Sequence, residues 1–267
     1  MEKELLIRAT GIVKKYGSLT AVDNVSMDVH SGEIYGVAGL NGAGKSTLLA
    51  ILAGVMRPDS GDIVYKEVRS GSRVNHPQSA GPGAGGAYKS TPAKALRIGY
   101  VPQDIALFPD LSVYDNLKFW AIAGPVRWDS IPLKDRILSA ATVAGLTEKL
   151  RQSVRSLSGG MKQRVNIAAA LAAGPDILIM DEPTAGLDVK NRRDVLNFIN
   201  SLARSSQYGL AVVCTSHQSG ELEMISDRLL LLDRGRTVFD GSPVDVFSGK
   251  YTDYANIDDI LYSLGNA

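Results

Sequence analysis

The run Gly39-Leu40-Asn41-Gly42-Ala43-Gly44-Lys45-Ser46-Thr47 constrains this chain more than any other feature. It spells a glycine, four residues, then Gly-Lys-Ser, and it follows Ile34-Tyr35-Gly36-Val37-Ala38, a segment with no polar face. A strand apolar on both sides belongs inside a covered, parallel sheet. Residues from about Lys45 to Ala53 read as a helix ended by Gly54, with Pro58 beyond it. A glycine-rich turn in that setting lets backbone N–H groups curl around phosphate oxygens, and the helix N-terminus adds a favourable dipole. Asn41, Gly42, Ala43 and Gly44 are the expected cradle. Lys45 is expected to bridge the β- and γ-phosphates, the Ser46 hydroxyl to ligate Mg2+, and Thr47 to contact the backbone and the α-phosphate.

The rest of the chain must supply a carboxylate for the metal at a neighbouring strand end. Ile177-Leu178-Ile179-Met180 is a second apolar strand, and Asp181 follows it as the metal-side candidate. Glu182 comes next. Strand alternation would turn it the other way, toward the γ-phosphate, where it could polarise an attacking water. Further segments fit the same pattern. Leu5 to Thr10 and Val22 to Val29 alternate as strands, with Tyr16-Gly17 and Asp23-Asn24 as turn material. Ile98 to Val101 and Leu210 to Thr215 are strands; Ser112 to Ala123, Leu133 to Ala144 and Lys190 to Ala203 are helices. Strands alternating with helices predict an α/β fold with a parallel-sheet core, preceded by an antiparallel β subdomain. Residues 70–95, rich in Gly, Pro, Ser and Ala and without a carboxylate, read as a loop.

Leu157-Ser158-Gly159-Gly160-Met161-Lys162-Gln163-Arg164 lies just before a helix and upstream of Asp181. A Ser hydroxyl and glycine N–H groups at a helix N-terminus make a second anion site. With these residues the sequence resembles the ATP-binding cassette family, the energy-coupling ATPases of transporters. The resemblance runs from about Leu5 to Val246 and brings further motifs in order. It implies that Tyr16 stacks on adenine, that Gln103 senses Mg2+ and the attacking water, and that Asp188 belongs to an acidic loop crossing a dimer interface. His217 matches the histidine contacting the γ-phosphate. Met161 stands where many members have Gln, and Gly186 and Val189 also depart from common choices.

The resemblance implies a cassette over 1–248, a helical subdomain inserted at about 104–173, and a tail over 249–267. It implies ATP and Mg2+ as ligands, with nucleotide sandwiched between the P-loop of one subunit and the Leu-Ser-Gly-Gly segment of another. The second subunit can be an identical or a related chain. A separate membrane permease is the implied partner, gripped near Leu107 and Phe108, which the sequence leaves exposed. Asp115-Asn116-Leu117-Lys118-Phe119-Trp120-Ala121 resembles exporters that move drugs, lipids or polysaccharides. Import, or soluble action on ribosomes, nucleic acid or metal-cluster assembly, is the alternative.

Composition agrees. Lys plus Arg number 29 against 28 Asp plus Glu, so no nucleic-acid partner is expected from charge. The lone Cys214 suits a reducing compartment. The start, Met1-Glu2-Lys3-Glu4, is too charged for a signal peptide, and Val165 to Met180, interrupted by Asn166, Gly174, Pro175 and Asp176, is no membrane span. The expected location is cytoplasmic, peripheral on the inner face of the membrane.

Overall fold

A computed structural model describes residues 3–66, 96–124, 131–205, 209–216, 218–247, 254 and 256–265. The loop expected over 70–95 lies outside the described residues, as does His217. Two sheets form the frame. Strands β1 (Leu5–Tyr16), β2 (Leu19–His30) and β4 (Ser60–Tyr65) make an antiparallel sheet in the order β2-β1-β4. Strands β3 (Ile34–Gly39), β5 (Ile98–Val101), β6 (Ile177–Met180), β7 (Ala211–Ser216), β8 (Arg228–Asp233) and β9 (Arg236–Gly241) make the other, in the order β5-β6-β7-β3-β8-β9. Its pairings are parallel except the β8–β9 hairpin.

The apolar strands are explained by what covers them. Along β3, β6, β7 and β8, alternate residues enter two different cores. Ile34, Leu178, Val212 and Leu229 join one core with α2 (Val113–Ala123), α3 (Leu133–Val143), α4 (Gly159–Ala172) and α5 (Val189–Arg204). Tyr35, Ile177, Val213 and Leu230 join the other, with α1 (Lys45–Leu52) and the antiparallel sheet. Neither face of these strands meets water, so neither needs a polar residue. Cys214 is buried in the first core, and burial pushes its thiol up to about 12, with Glu221 adding to the effect.

Three local features differ from expectation. Asp23 and Asn24 do not turn the chain; they lie within β2, where Asn24 takes a positive φ of 56° opposite Gly11 at 60°. The β1–β2 register shifts there, the signature of a β-bulge, which a turn-forming Asn tolerates without ending the strand. Leu107 is half-buried against the first core rather than open, whereas Phe108 is 41% exposed and meets Phe119 edge-on at 4.8 Å. The segment after 248 contains α7 (Ile257–Gly265), whose Ile257, Ile260 and Leu261 are buried in the first core. No described helix is long and apolar enough to cross a membrane.

Candidate functional site

Parallel strands present their C-terminal ends along one edge, where ligands of open α/β sheets bind. At that edge β3 runs into the glycine-rich turn. Gly42 and Gly44 adopt φ values of 83° and 99°, and a Cβ on Gly44 would stand 2.0 Å from the Ala21 carbonyl oxygen. Only glycine fits that approach. The α1 helix then begins with no side-chain cap and no acidic residue in its first turn, leaving its N-terminal N–H groups for an anion. Lys45 is 5% exposed and folds back over its own loop, donating to the Gly39 carbonyl at 2.8 Å and the Leu40 carbonyl at 3.1 Å. Burial holds its ammonium below the usual lysine range, partly countered by Glu182 and Asp181.

The turn opens onto a cleft of about 580 Å³. Asn41, Gly42, Gly44, Lys45, Ser46 and Thr47 form one side; Tyr16, Gln103 and Glu182 also line it. Ala43 is buried beneath the loop, where its carbonyl accepts the Gly235 N–H at 3.0 Å. The Tyr16 hydroxyl donates to Met56 Sδ at 3.0 Å, fixing the ring at the cleft.

The two carboxylates sit just past the end of β6. Asp181 donates its N–H to the Val101 carbonyl at 2.9 Å, is buried, and accepts the Thr215 hydroxyl at 2.7 Å. The same Thr215 oxygen accepts the Glu182 N–H at 2.8 Å. Glu182 does face the cleft, but not by strand alternation: β6 ends at Met180, and Glu182 takes a left-handed φ of 46°. The Gln103 amide donates to its carboxylate at 3.1 Å. The Ser46 hydroxyl, the Gln103 amide oxygen and the Asp181 carboxylate are hard oxygen donors of the kind Mg2+ takes.

The remaining candidates gather elsewhere. Ser158 caps α4 by accepting the Met161 N–H at 3.3 Å. Asp188 caps α5, accepting the Asn191 N–H at 2.9 Å and the Asn191 side-chain amide at 2.6 Å, bonds that hold its carboxyl below the ordinary range. These two caps adjoin: a Cβ on Gly160 would stand 2.5 Å from Asn191 Oδ1, and one on Gly159 3.4 Å from Leu187. Ser158, Gly159, Gly160 and Asp188 thus form a second group that does not line the cleft.

Sequence reasoning missed Thr215, Leu19 and Ala21. Leu19 and Ala21 line the cleft from the β1–β2 hairpin. The signal for Thr215 was available, since Thr215-Ser216 interrupts an otherwise apolar strand at its C-terminal end.

Comparison with known proteins bears on the family and the fold. The family model described as ABC transporter matches residues 22–185. The linearmycin resistance ATP-binding protein LnrL of Bacillus subtilis (strain 168) is 35% identical over 244 residues, covering 91% of this chain and 71% of that protein. The methionine import ATP-binding protein MetN of Mesorhizobium japonicum is 36% identical over 251 residues, 93% of this chain and 63% of that protein. Among solved structures, cbiO1 from Clostridium perfringens, part of the ABC transporter complex cbiONQ, superposes with a TM-score of 0.73. That match covers 99% of this chain and 97% of the other at 24% identity, and speaks for the fold. A P-loop between buried strand and helix, an Asp-Glu pair just past the end of β6, and relatives matched over nine-tenths of the chain lead to one conclusion: this chain belongs to the ABC transporter family, as an ATP-binding and ATP-hydrolysing subunit.

Proposed function

We propose that this subunit binds ATP with Mg2+ in the cleft, pairs head-to-tail with a second copy or a related chain, and drives a separate membrane permease. The observation that carries the reading is the pairing of Gln103 with Glu182 in the same cleft as Lys45 and Ser46. Lys45 exchanges its carbonyl partners for phosphate oxygens, gaining a charged acceptor for two neutral ones. Tyr16 offers its ring to the adenine. Ser46, Asp181 and Gln103 hold Mg2+, which when bound supplies charge stabilisation on the phosphates. Glu182 accepts the proton of the attacking water, with Gln103 orienting its carboxylate. His217 is assigned to the γ-phosphate by family resemblance.

Ser158, Gly159, Gly160 and Asp188 serve the partner's nucleotide. Their separation from this chain's own cleft supports a site completed in trans. Light scattering tests it: the Glu182→Gln variant with ATP should double in mass from 28.5 kDa, and a mass unchanged by ATP sinks the head-to-tail reading.

Phe108 supports docking of a permease on the cytoplasmic face. Its loop is held by the buried Asn116, which accepts the Phe108 N–H at 2.8 Å and donates to its carbonyl at 3.0 Å. The aromatic side chain is therefore displayed on a fixed loop. Export is the favoured direction, from Asp115 to Ala121; similarity to MetN, named for import, favours the second reading. Co-purification separates the classes: a multi-span membrane protein supports transport, and ribosomes or DNA overturn it.

A further inference from the structure

A buried carboxylate outside the cleft, Glu221 on α6 (Ser219–Ile225), joins three separate elements. One oxygen, Oε2, accepts the Thr184 hydroxyl at 2.6 Å and the Ser216 hydroxyl at 2.8 Å. The other, Oε1, accepts no hydrogen bond and lies 3.1 Å from Arg192 Nε as an ion pair. Arg192 in turn donates to the Leu187 carbonyl at 3.0 Å and to the Gln218 side chain, while the Gln218 N–H returns to the Ser216 hydroxyl at 3.0 Å.

The positions of these partners give the cluster its meaning. Thr184 lies two residues beyond Glu182, and Leu187 immediately precedes Asp188. Ser216 follows Thr215, whose hydroxyl holds both Asp181 and Glu182. The turn from Glu182 to Asp188 is further closed by the Ala185 N–H on the Glu182 carbonyl at 3.0 Å and the Leu187 N–H on the Thr184 carbonyl at 3.2 Å. That turn therefore has a carboxylate of the cleft at one end and the cap of α5 at the other, with Glu221 hydrogen-bonded to its middle at Thr184 and ion-paired to Arg192, which itself donates to its far end at Leu187. A buried carboxylate is costly unless paired and hydrogen-bonded, and a network in which every member depends on the next resists partial displacement.

We propose that Glu221 is a positioning residue. By holding Thr184, Ser216 and Arg192 in one cluster, it fixes the distance between the Glu182 carboxylate in this chain's cleft and the Asp188 end offered to a second chain. Closure of the pair then sets both at once. The inference rests on the reading of Glu182 as the base and of Asp188 as facing a partner. Glu221 itself does not line the cleft, so its loss should leave nucleotide affinity alone and lower turnover.

Glu221→Gln is the direct test, because it keeps shape and can still accept the two hydroxyls while opposing an amide to Arg192. Steady-state ATP hydrolysis is measured for the wild type, Glu221→Gln, Arg192→Lys, their double variant and Glu182→Gln, each well below its own unfolding midpoint. The expected result is a kcat reduced ~10-fold or more with KM within about twofold, and a double variant no slower than the slower single, since both detach the same arm. A kcat within about twofold of wild type, a loss confined to KM, or losses that multiply in the double variant would overturn the proposal. Should Glu221→Gln fail to fold, Arg192→Lys is judged by the same kcat-against-KM split. If Glu182→Gln retains full turnover, the underlying reading falls and the inference with it. If Glu182→Gln is inactive while Glu221→Gln is unaffected, the inference alone falls.

Discussion

The Thr215 hydroxyl donates to the Asp181 carboxylate at 2.7 Å across the β6–β7 pair, and the same oxygen accepts the Glu182 N–H at 2.8 Å. One side chain on β7 thus holds the Asp181 carboxylate and the Glu182 backbone, both past the end of β6. Thr215→Val keeps the shape and removes both bonds, leaving a buried carboxylate oxygen and a half-buried N–H unpaired. A buried group left unpaired costs about 1–3 kcal/mol and the half-buried N–H at the low end of that, so a destabilisation of about 2–4 kcal/mol is expected in urea unfolding. ATP turnover should fall as well, because the Glu182 backbone is no longer anchored. Unchanged stability in that assay would show that the bridge contributes little.

Gly44 meets the Ala21 carbonyl with no room for a Cβ and holds a φ of 99°. Gly44→Ala must therefore displace either the phosphate turn or the β1–β2 hairpin. The expected outcome is a loss of more than about 2 kcal/mol of stability, from left-handed strain plus the clash, together with lost ATP binding in a nucleotide titration. Wild-type affinity in that titration would mean the turn tolerates a different path.

At the opposite end of the sheet, Asp227 accepts both arms of Arg204, at 2.8 and 2.9 Å, and the Ile34 N–H at 2.9 Å. Burial alone would raise its carboxyl; Arg204, the Ile34 N–H and Lys3 outweigh it and hold the group below the ordinary 3.8. A depressed carboxylate contributes stability that is present above the unfolded value and lost as pH falls through the folded one. Asp227→Asn should therefore be less stable than wild type at neutral pH, by about 1 kcal/mol given partial exposure, with the difference closing below about pH 4. Unfolding curves at neutral pH and at the lowest pH the fold tolerates check this, and a constant gap would contradict it.

Most of the cleft was legible because its residues lie in contiguous motifs whose spacing carries the chemistry. The turn from Gly39 to Thr47 needs no partner to be recognised, and Asp181-Glu182 announces itself at the end of an apolar strand. The strand periods failed where a local conformation overrode them. Asn24 sits in a bulge, and Glu182 is aimed by a left-handed residue rather than by alternation. Thr215 was missed for a different reason. Its role depends on β7 lying beside β6, although thirty-odd residues and α5 separate the strands, and pairing order is a property of the sheet and not of any segment. The split of the expected site residues into a cleft group and a group around the α4 and α5 caps was likewise invisible until α4 and α5 were seen to adjoin.

Phe108 stands on a loop pinned by Asn116, whereas Leu107 packs inward. Phe108→Asp should abolish co-sedimentation with membranes of the native cell and lower the unfolding free energy by no more than about 1.5 kcal/mol, the worth of its edge-on contact with Phe119. Leu107→Asp, which buries a charge, should instead destabilise the fold. Equal membrane recruitment of Phe108→Asp and wild type would remove this surface from docking.

Turnover of Glu182→Gln at saturating ATP tests the central claim most directly. The amide keeps the size of the side chain and cannot accept the proton of the attacking water, while Lys45, Ser46 and the phosphate turn are untouched. The expected result is a kcat lowered ~100-fold or more with nucleotide affinity retained, the signature of a lost general base. Hydrolysis at the wild-type rate by the Glu182→Gln protein would contradict it.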